Sequence, residues 1–233
     1  MIQEAINYPR NSDSAIKTVA IGGLLLLLGF LVVPVVLVLG YVVRTLRAVL
    51  DGVEEPPEFD DWGDLGTDGL KAFAITLAYS LIPASIALVA ILAGGVTLGL
   101  TGPGQGGNVA MALIAVGAAV VVTLLSVLGA YLLPAAIVAW VRTDRLGAAF
   151  SPAELRTYAF SQTYATGWLV AVAISLLAGI LIGVLNAVVI GAVLAPFVTF
   201  YAYVAGTQAI GSAVRSMPAV DDATEQTIGK PVA

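Results

Sequence analysis

The chain has 233 residues, 59% of them hydrophobic and only 11% charged, with a formal net charge of −5 and a mean hydropathy of +0.99. Those values lie far from soluble averages and fit a polytopic membrane protein. The absence of Cys and His excludes disulfides, thiolate or imidazole metal sites, haem ligation, Cys nucleophiles and Ser-His-Asp catalysis together.

The fold class expected is all-α, a transmembrane helical bundle of five to six membrane helices with interfacial amphipathic helices. A transmembrane barrel would need alternating segments of about ten residues, whereas these runs are long and apolar on every face. The opening stretch, MIQEAINYPRNSDSAIK, contains Glu4 and Asp13 and leads into an uncharged run from 18 to 43. That run is too long for a signal-peptide core, so the segment is read as mature structure. Ile2, Ala5 and Ile6 share a helical face ahead of Pro9.

The first apolar block, Ile16 to Val43, admits two readings. As one helix it spans with a kink at Pro34. As a hairpin it breaks around Gly29 to Pro34, with Pro34 opening the second arm and Val33 pushed out of the α region. Charge placement favours the hairpin. With a single span, Arg10 and Lys17 fall opposite Arg44, Arg47, Lys71, Arg142, Arg145, Arg156, Arg215 and Lys230. With a hairpin all ten bases share one side, which the positive-inside rule makes cytoplasmic.

Residues 44–71 then read as an acidic cytoplasmic loop. Eight acids fall between Asp51 and Asp68: Asp51, Glu54, Glu55, Glu58, Asp60, Asp61, Asp64 and Asp68. Hard cations take oxygen ligands, but Asp64-x-Gly66-x-Asp68-Gly69 lacks the third-position ligand of an EF-hand, and Ile75 stands where its closing Glu belongs. The acids are therefore assigned to solvation, which suits a saline cytoplasm, and no metal or cofactor is expected. Trp62, Leu65, Gly69 and Phe73 keep helical spacing and suggest a separate interfacial helix.

From Ala72 to Val141 there are 70 consecutive residues without Asp, Glu, Lys, Arg or His. A bilayer accommodates such a stretch and penalises each misplaced charge by several kcal/mol. Two spans are expected, 72–100 and 109–141, joined by the turn TGPGQGGN. That turn has glycines but no G-x-G-x-x-G, no preceding strand and no following Lys, so it is no nucleotide loop.

Residues 142–166 read as a cytoplasmic amphipathic segment. Ser151-Pro152-Ala153-Glu154 has the form of a capping box with Pro at the first helical position, followed by Leu155, Tyr158 and Ala159 on one face. Residues 167–214 hold two further spans turning near Asn186, and 217–233 a disordered acidic tail. The segments LVVPVVLVLGYVVR, YLLPAAIVAWVR and VLAPFVTFYAYVAG look alike and hint at three degenerate units.

Two sets of residues stand out within the spans. Ala171, Ser175, Gly179, Gly183 and Ala187 recur every fourth position, and small residues let helix backbones approach closely. Packing within the chain is the favoured role and a homodimer seam the alternative. Pro34, Pro83, Pro134 and Pro196 are candidate helix breaks. Broken helices can bind transported solutes, although here no intramembrane charge accompanies them.

Gly40-Tyr41, Arg44 and Arg47, then PPEFDDWGDLGTDGLKAF (Pro56 to Phe73), then Tyr79 and Pro83 resemble the domain-of-unknown-function family 4013 of archaeal, often haloarchaeal, membrane proteins. The resemblance implies a multi-helix integral membrane protein with no assigned activity and supplies no catalytic or binding residues. Three functions compete. A non-enzymatic scaffold whose cytoplasmic face docks a protein partner or organises lipid leads. A transporter or channel for a neutral or hydrophobic solute follows, and an intramembrane enzyme comes last. No basic stripe suited to nucleic acid exists.

Overall fold

The computed structural model describes residues 1–101, 105–187 and 191–217. Among them every regular element is helical: α1 (Ile2–Asn7), α2 (Ala15–Leu27), α3 (Val32–Leu50), α4 (Trp62–Thr101), α5 (Gln105–Thr143), α6 (Pro152–Ala159), α7 (Gln162–Asn186) and α8 (Gly191–Arg215), with short 3-10 turns at Tyr8–Arg10 and Leu146–Phe150. Five of these helices, α3, α4, α5, α7 and α8, are long and apolar enough to cross a membrane. The chain is an all-α multi-pass membrane protein.

The chain divides into two units. Unit 1 comprises residues 1–73 and 134–233, and unit 2 residues 74–133.

Unit 1 is organised around α8, which packs against α1, α2, α3 and α7. Small residues permit each of these approaches. Gly22 and Gly23 of α2 lie against Phe200 and Phe197, Gly206 against Ala171 of α7, and Gly211 against Leu46 and Val49 of α3. The closest crossing joins α3 to the first turns of α4. A Cβ on Gly40 would overlap the Leu65 backbone, and one on Gly69 would overlap the Val36 carbonyl. Phe200 is fully buried at the centre of a cluster with Tyr8, Val38, Tyr41, Phe59 and Leu65.

The first apolar block is two packed helices, α2 and α3, not one kinked span. Their break differs from the expected one. Leu31, not Val33, is the extended residue, with φ −94° and ψ 137°, and Val33 is helical. Pro34 therefore sits in the first turn of α3, where its missing N–H is one of the donors a helix end leaves unpaired. α2 is only 13 residues long, about 20 Å at 1.5 Å per residue, and cannot cross a hydrocarbon core of about 30 Å.

Other boundaries also differ. α3 continues to Leu50 and α4 begins at Trp62, so the acidic loop shortens from 44–71 to residues 51–61. The Trp62–Phe73 stretch is the start of α4, not a separate interfacial helix. The expected capping box does not form, because Ser151 makes no side-chain cap and Glu154 pairs with Arg145 at 3.0 Å. The true side-chain cap in this region is Ser161, which accepts from the Thr163 amide at the start of α7.

Pro83, Pro134 and Pro196 break nothing. Each lies inside an unbroken helix, α4, α5 and α8 respectively. A membrane helix tolerates one lost hydrogen bond when neighbouring turns and Ser or Thr hydroxyls take up the freed carbonyls. Of the TGPGQGGN turn, Thr101 ends α4 and Gln105–Asn108 open α5, while residues 102–104 and the whole tail from 218 onward lie outside the described residues. Asn186 is the last residue of α7.

Unit 2 consists of the apolar lengths of α4 and α5, facing one another through small residues. Ala87, Ala90 and Gly94 on one helix and Ala115, Ala118 and Ala119 on the other line a shared cavity of about 450 Å³. Leu88, Val96, Val120 and Leu124 are among the many large side chains left exposed, as lipid-facing residues require.

Candidate functional site

Side chains from α3 and the 3-10 turn at Tyr8–Arg10 tie the acidic loop down. Arg44, one turn beyond Tyr41 on α3, donates to the Asp60 carboxylate and to the carbonyls of Asp60 (2.9 Å) and Glu58 (3.2 Å). The Tyr41 hydroxyl donates to the Pro57 carbonyl at 2.8 Å, and the Tyr8 hydroxyl to that of Glu55 at 3.1 Å. Phe59 is the apolar anchor, with its ring stacked 4.3 Å from Tyr41 and 5.9 Å from Phe200. Burial pushes the Tyr8 phenol up to about 12, so at neutral pH it is a neutral donor.

A second cluster lies beside the first. Arg47, three residues after Arg44, pairs with Asp68 on α4, and Lys71 reaches the same carboxylate at 3.8 Å. Both cations stand 5.9 Å from the ring of Trp140, which is buried. An aromatic face attracts cations, most strongly where water is excluded, so Trp140 and Asp68 jointly hold two positive groups. Arg142 donates to the carbonyls of Val214 and Met217, the latter at 3.0 Å. It thereby joins the last turn of α5 to the last turn of α8 and the residues just beyond it.

The loop backbone is therefore fixed while several carboxylates are not engaged. Asp51, Glu55, Asp61 and Asp64 are exposed, and none is in an ion pair among the described residues. Among those residues no group of three or more His, Asp or Glu side chains is placed to hold a metal ion.

A model of the family described as "Protein of unknown function (DUF4013)" matches residues 23–187. The chain belongs to that family. No curated protein and no solved structure matches it. The DUF4013 match runs from α2 to the end of α7, and so contains both clusters' α3 and α4 residues and Trp140. Tyr8 and α8 lie outside it.

The small-residue stripe does not serve the interface expected of it beyond its first member. Ala171 meets Gly206 of α8, whereas Gly179 and Gly183 have nothing within 4 Å of a built Cβ. Ser175 donates back to the Ala171 carbonyl, and Ala187 is exposed just past the helix end. Four-residue spacing drifts about 40° per step on a 3.6-residue helix, which carries the stripe off the α8 face. The buried residues of α7 are instead Tyr164, Gly167, Val170 and Ile174.

Sequence reasoning missed the two-glycine crossing, the Trp140 platform and the Phe59 anchor. Phe59 was visible as a lone aromatic inside an acidic run. Gly40, Gly69 and Trp140 carry no such mark, because their meaning depends on which helices meet.

Proposed function

We propose that this DUF4013 protein is a non-enzymatic membrane scaffold whose charged end faces the cytoplasm and docks a cationic partner. The observation that carries it is the loop of residues 51–61, pinned by Arg44, Tyr41, Tyr8 and Phe59 while Asp51, Glu55 and Asp61 of the loop and Asp64 in the first turn of α4 are exposed and in no ion pair among the described residues. A fixed backbone lowers the ordering cost of binding, and carboxylates at set positions suit Lys or Arg side chains of a protein partner. The same carboxylates keep a hydrated surface in a saline cytoplasm. Short-range ion pairing survives there where long-range steering is screened.

Topology follows from the same arrangement. Residues 32–43 of α3 measure about 18 Å, so α2 and α3 form a re-entrant hairpin with both ends on the charged side. α4, α5, α7 and α8 are the complete spans, which leaves both termini cytoplasmic under the positive-inside rule.

Transport of an apolar solute is the second reading, favoured by the unit 2 cavity. Its lining is Ala, Gly, Ile, Val and Met, and none of Thr76, Ser80, Thr123, Ser126 or Asn186 contributes, so a polar solute finds no hydrogen-bonding partner there. Both readings meet in one reconstitution experiment. In proteoliposomes, an Arg-rich peptide is expected to bind the wild type and lose most affinity with Asp51→Asn, Glu55→Gln, Asp61→Asn and Asp64→Asn combined. Flux of a short-chain alkanol, whose tail suits that apolar lining, is expected to equal that of protein-free vesicles. Protein-dependent flux with unchanged peptide binding would replace the scaffold reading with the transport one.

A further inference from the structure

Nine Asn and Gln residues occur in the sequence. Four of them, Gln3, Asn7, Asn11 and Gln208, line one cavity of about 550 Å³ in unit 1, within the range of small-molecule sites. They come from opposite ends of the chain. Gln3 and Asn7 are one turn apart on α1, and Gln208, Ser212 and Arg215 form a single stripe on α8. Such a gathering of carboxamides is unexpected in a chain this apolar, where a helix end needs only a cap or water.

Three features define what the cavity can hold. The Gln208 side-chain oxygen is buried and accepts no hydrogen bond among the described residues, a costly state that a ligand donor would relieve. Glu54 and Arg215 also line the cavity, and neither is in an ion pair among the described residues. Glu4, the other acid at the rim, is paired with the terminal ammonium. The Tyr8 and Ser212 hydroxyls are committed to the Glu55 and Ala209 carbonyls. Among the described residues the cavity thus offers a cation and an anion in no ion pair, an unfilled acceptor and carboxamides that donate and accept.

We propose that this cavity binds a phosphoethanolamine group. Arg215 and carboxamide N–H groups take the phosphate oxygens, since a guanidinium matches their geometry. The Glu54 carboxylate and the Gln208 oxygen accept from the ammonium, which has three donors to place. The charged end of the helices is the level at which headgroups lie, so the group can arrive on a lipid or as a soluble phosphodiester. The inference goes beyond the docking surface: Asp51, Glu55, Asp61 and Asp64 do not line this cavity.

The test is binding to the purified full chain in detergent, read by native mass spectrometry and titration. Its probes are a short-chain phosphatidylethanolamine, the matching phosphatidylglycerol and soluble glycerophosphoethanolamine. Phosphatidylethanolamine is expected to bind roughly tenfold or more tightly than phosphatidylglycerol, because only it carries the ammonium. Glu54→Gln is expected to erase that preference, Arg215→Gln to weaken both lipids, and Gln3→Ala, on the exposed first turn of α1, to weaken phosphatidylethanolamine without unfolding the chain. Equal binding of the soluble diester identifies a free ligand, and binding of the lipid alone identifies a headgroup. Equal affinity for the two lipids, or an unchanged preference in Glu54→Gln, overturns the proposal.

Discussion

Units 1 and 2 are built from the same apolar alphabet and solve burial in opposite ways. Unit 1 hides its large side chains against one another, with Trp140, Tyr41, Tyr158, Tyr164 and Phe200 all essentially inaccessible. Six of its glycines, Gly22, Gly23, Gly40, Gly69, Gly167 and Gly211, are contact points, and Arg44, Arg47 and Arg142 close onto carboxylates, carbonyls and rings. Unit 2 has no charged residue, and its Gly95, Gly99, Gly117 and Gly129 have nothing within 4 Å of a built Cβ. The same residue type thus carries two meanings: the close approaches to backbone fall in unit 1, at Gly40 and Gly69, whereas Gly117 in unit 2, like Gly179 and Gly183 in unit 1, faces open space. Unit 1 gains stability from protein contacts, whereas unit 2 depends on lipid around it.

The sharpest way to break that contrast is to add bulk at one glycine from each unit. Gly69→Leu drives a side chain into the Val36 carbonyl and the Gly40 amide. It is expected to cost more than the usual ~1–3 kcal/mol of overpacking and to abolish monodisperse folded protein in size-exclusion chromatography. Gly117→Leu is expected to leave yield and thermal unfolding unchanged. Equal behaviour of the two variants would erase the distinction.

The second contrast concerns charge. Leu124→Arg places a guanidinium on the exposed apolar surface of unit 2 and is expected to cost about 3 kcal/mol of membrane insertion, measured as lost membrane-integrated yield. In unit 1 the Asp68 carboxylate and the Arg47 and Lys71 cations compensate one another, so removing one matters. Asp68→Asn leaves Arg47 and Lys71 without their shared carboxylate. Because Arg47 and Lys71 are partly solvated, the expected loss is about 1–2 kcal/mol, seen as a lower Tm in detergent that molar salt partly offsets.

The smallest expected effect concerns the stripe on α7. Gly183→Leu touches nothing in the chain and is expected to leave thermal stability unchanged. If Gly179 and Gly183 form a homodimer seam, the variant shifts the oligomeric state in light scattering, and an unchanged mass removes that seam.

Much of the fold was legible in the sequence because lipid imposes a simple rule. Charge-free runs mark helices within the bilayer, and the positions of Lys17, Arg44 and Arg47 favoured two short arms over one span. Proline was less legible. Pro34 pointed to the right region, yet the turn formed at Leu28–Leu31, because the first turn of a helix accepts Pro without loss. Pro83, Pro134 and Pro196 read as breaks but lie in continuous helices, since neighbouring turns supply what the ring removes.

The candidate sites were the least legible. The loop acids read as solvated, and their anchoring depends on Arg44, Tyr41 and Tyr8 reaching them from elements up to 47 residues away. The cavity joins Gln3 to Gln208 across almost the whole chain, and no local spacing records that pairing. Small-residue periodicity misled for a geometric reason: a four-residue repeat does not stay on one face of a straight helix.

The central claim is that every charged segment lies on one side of the membrane because α2 and α3 re-enter rather than cross. The chain has no native Cys, so single Cys substitutions at Ser12, Asn108, Thr143 and Ser216 can be labelled in intact cells with a membrane-impermeant thiol reagent. Asn108→Cys alone is expected to label from outside, with the other three labelling only after the membrane is opened. Labelling of Ser12→Cys from outside would make the first block a full crossing and contradict the account.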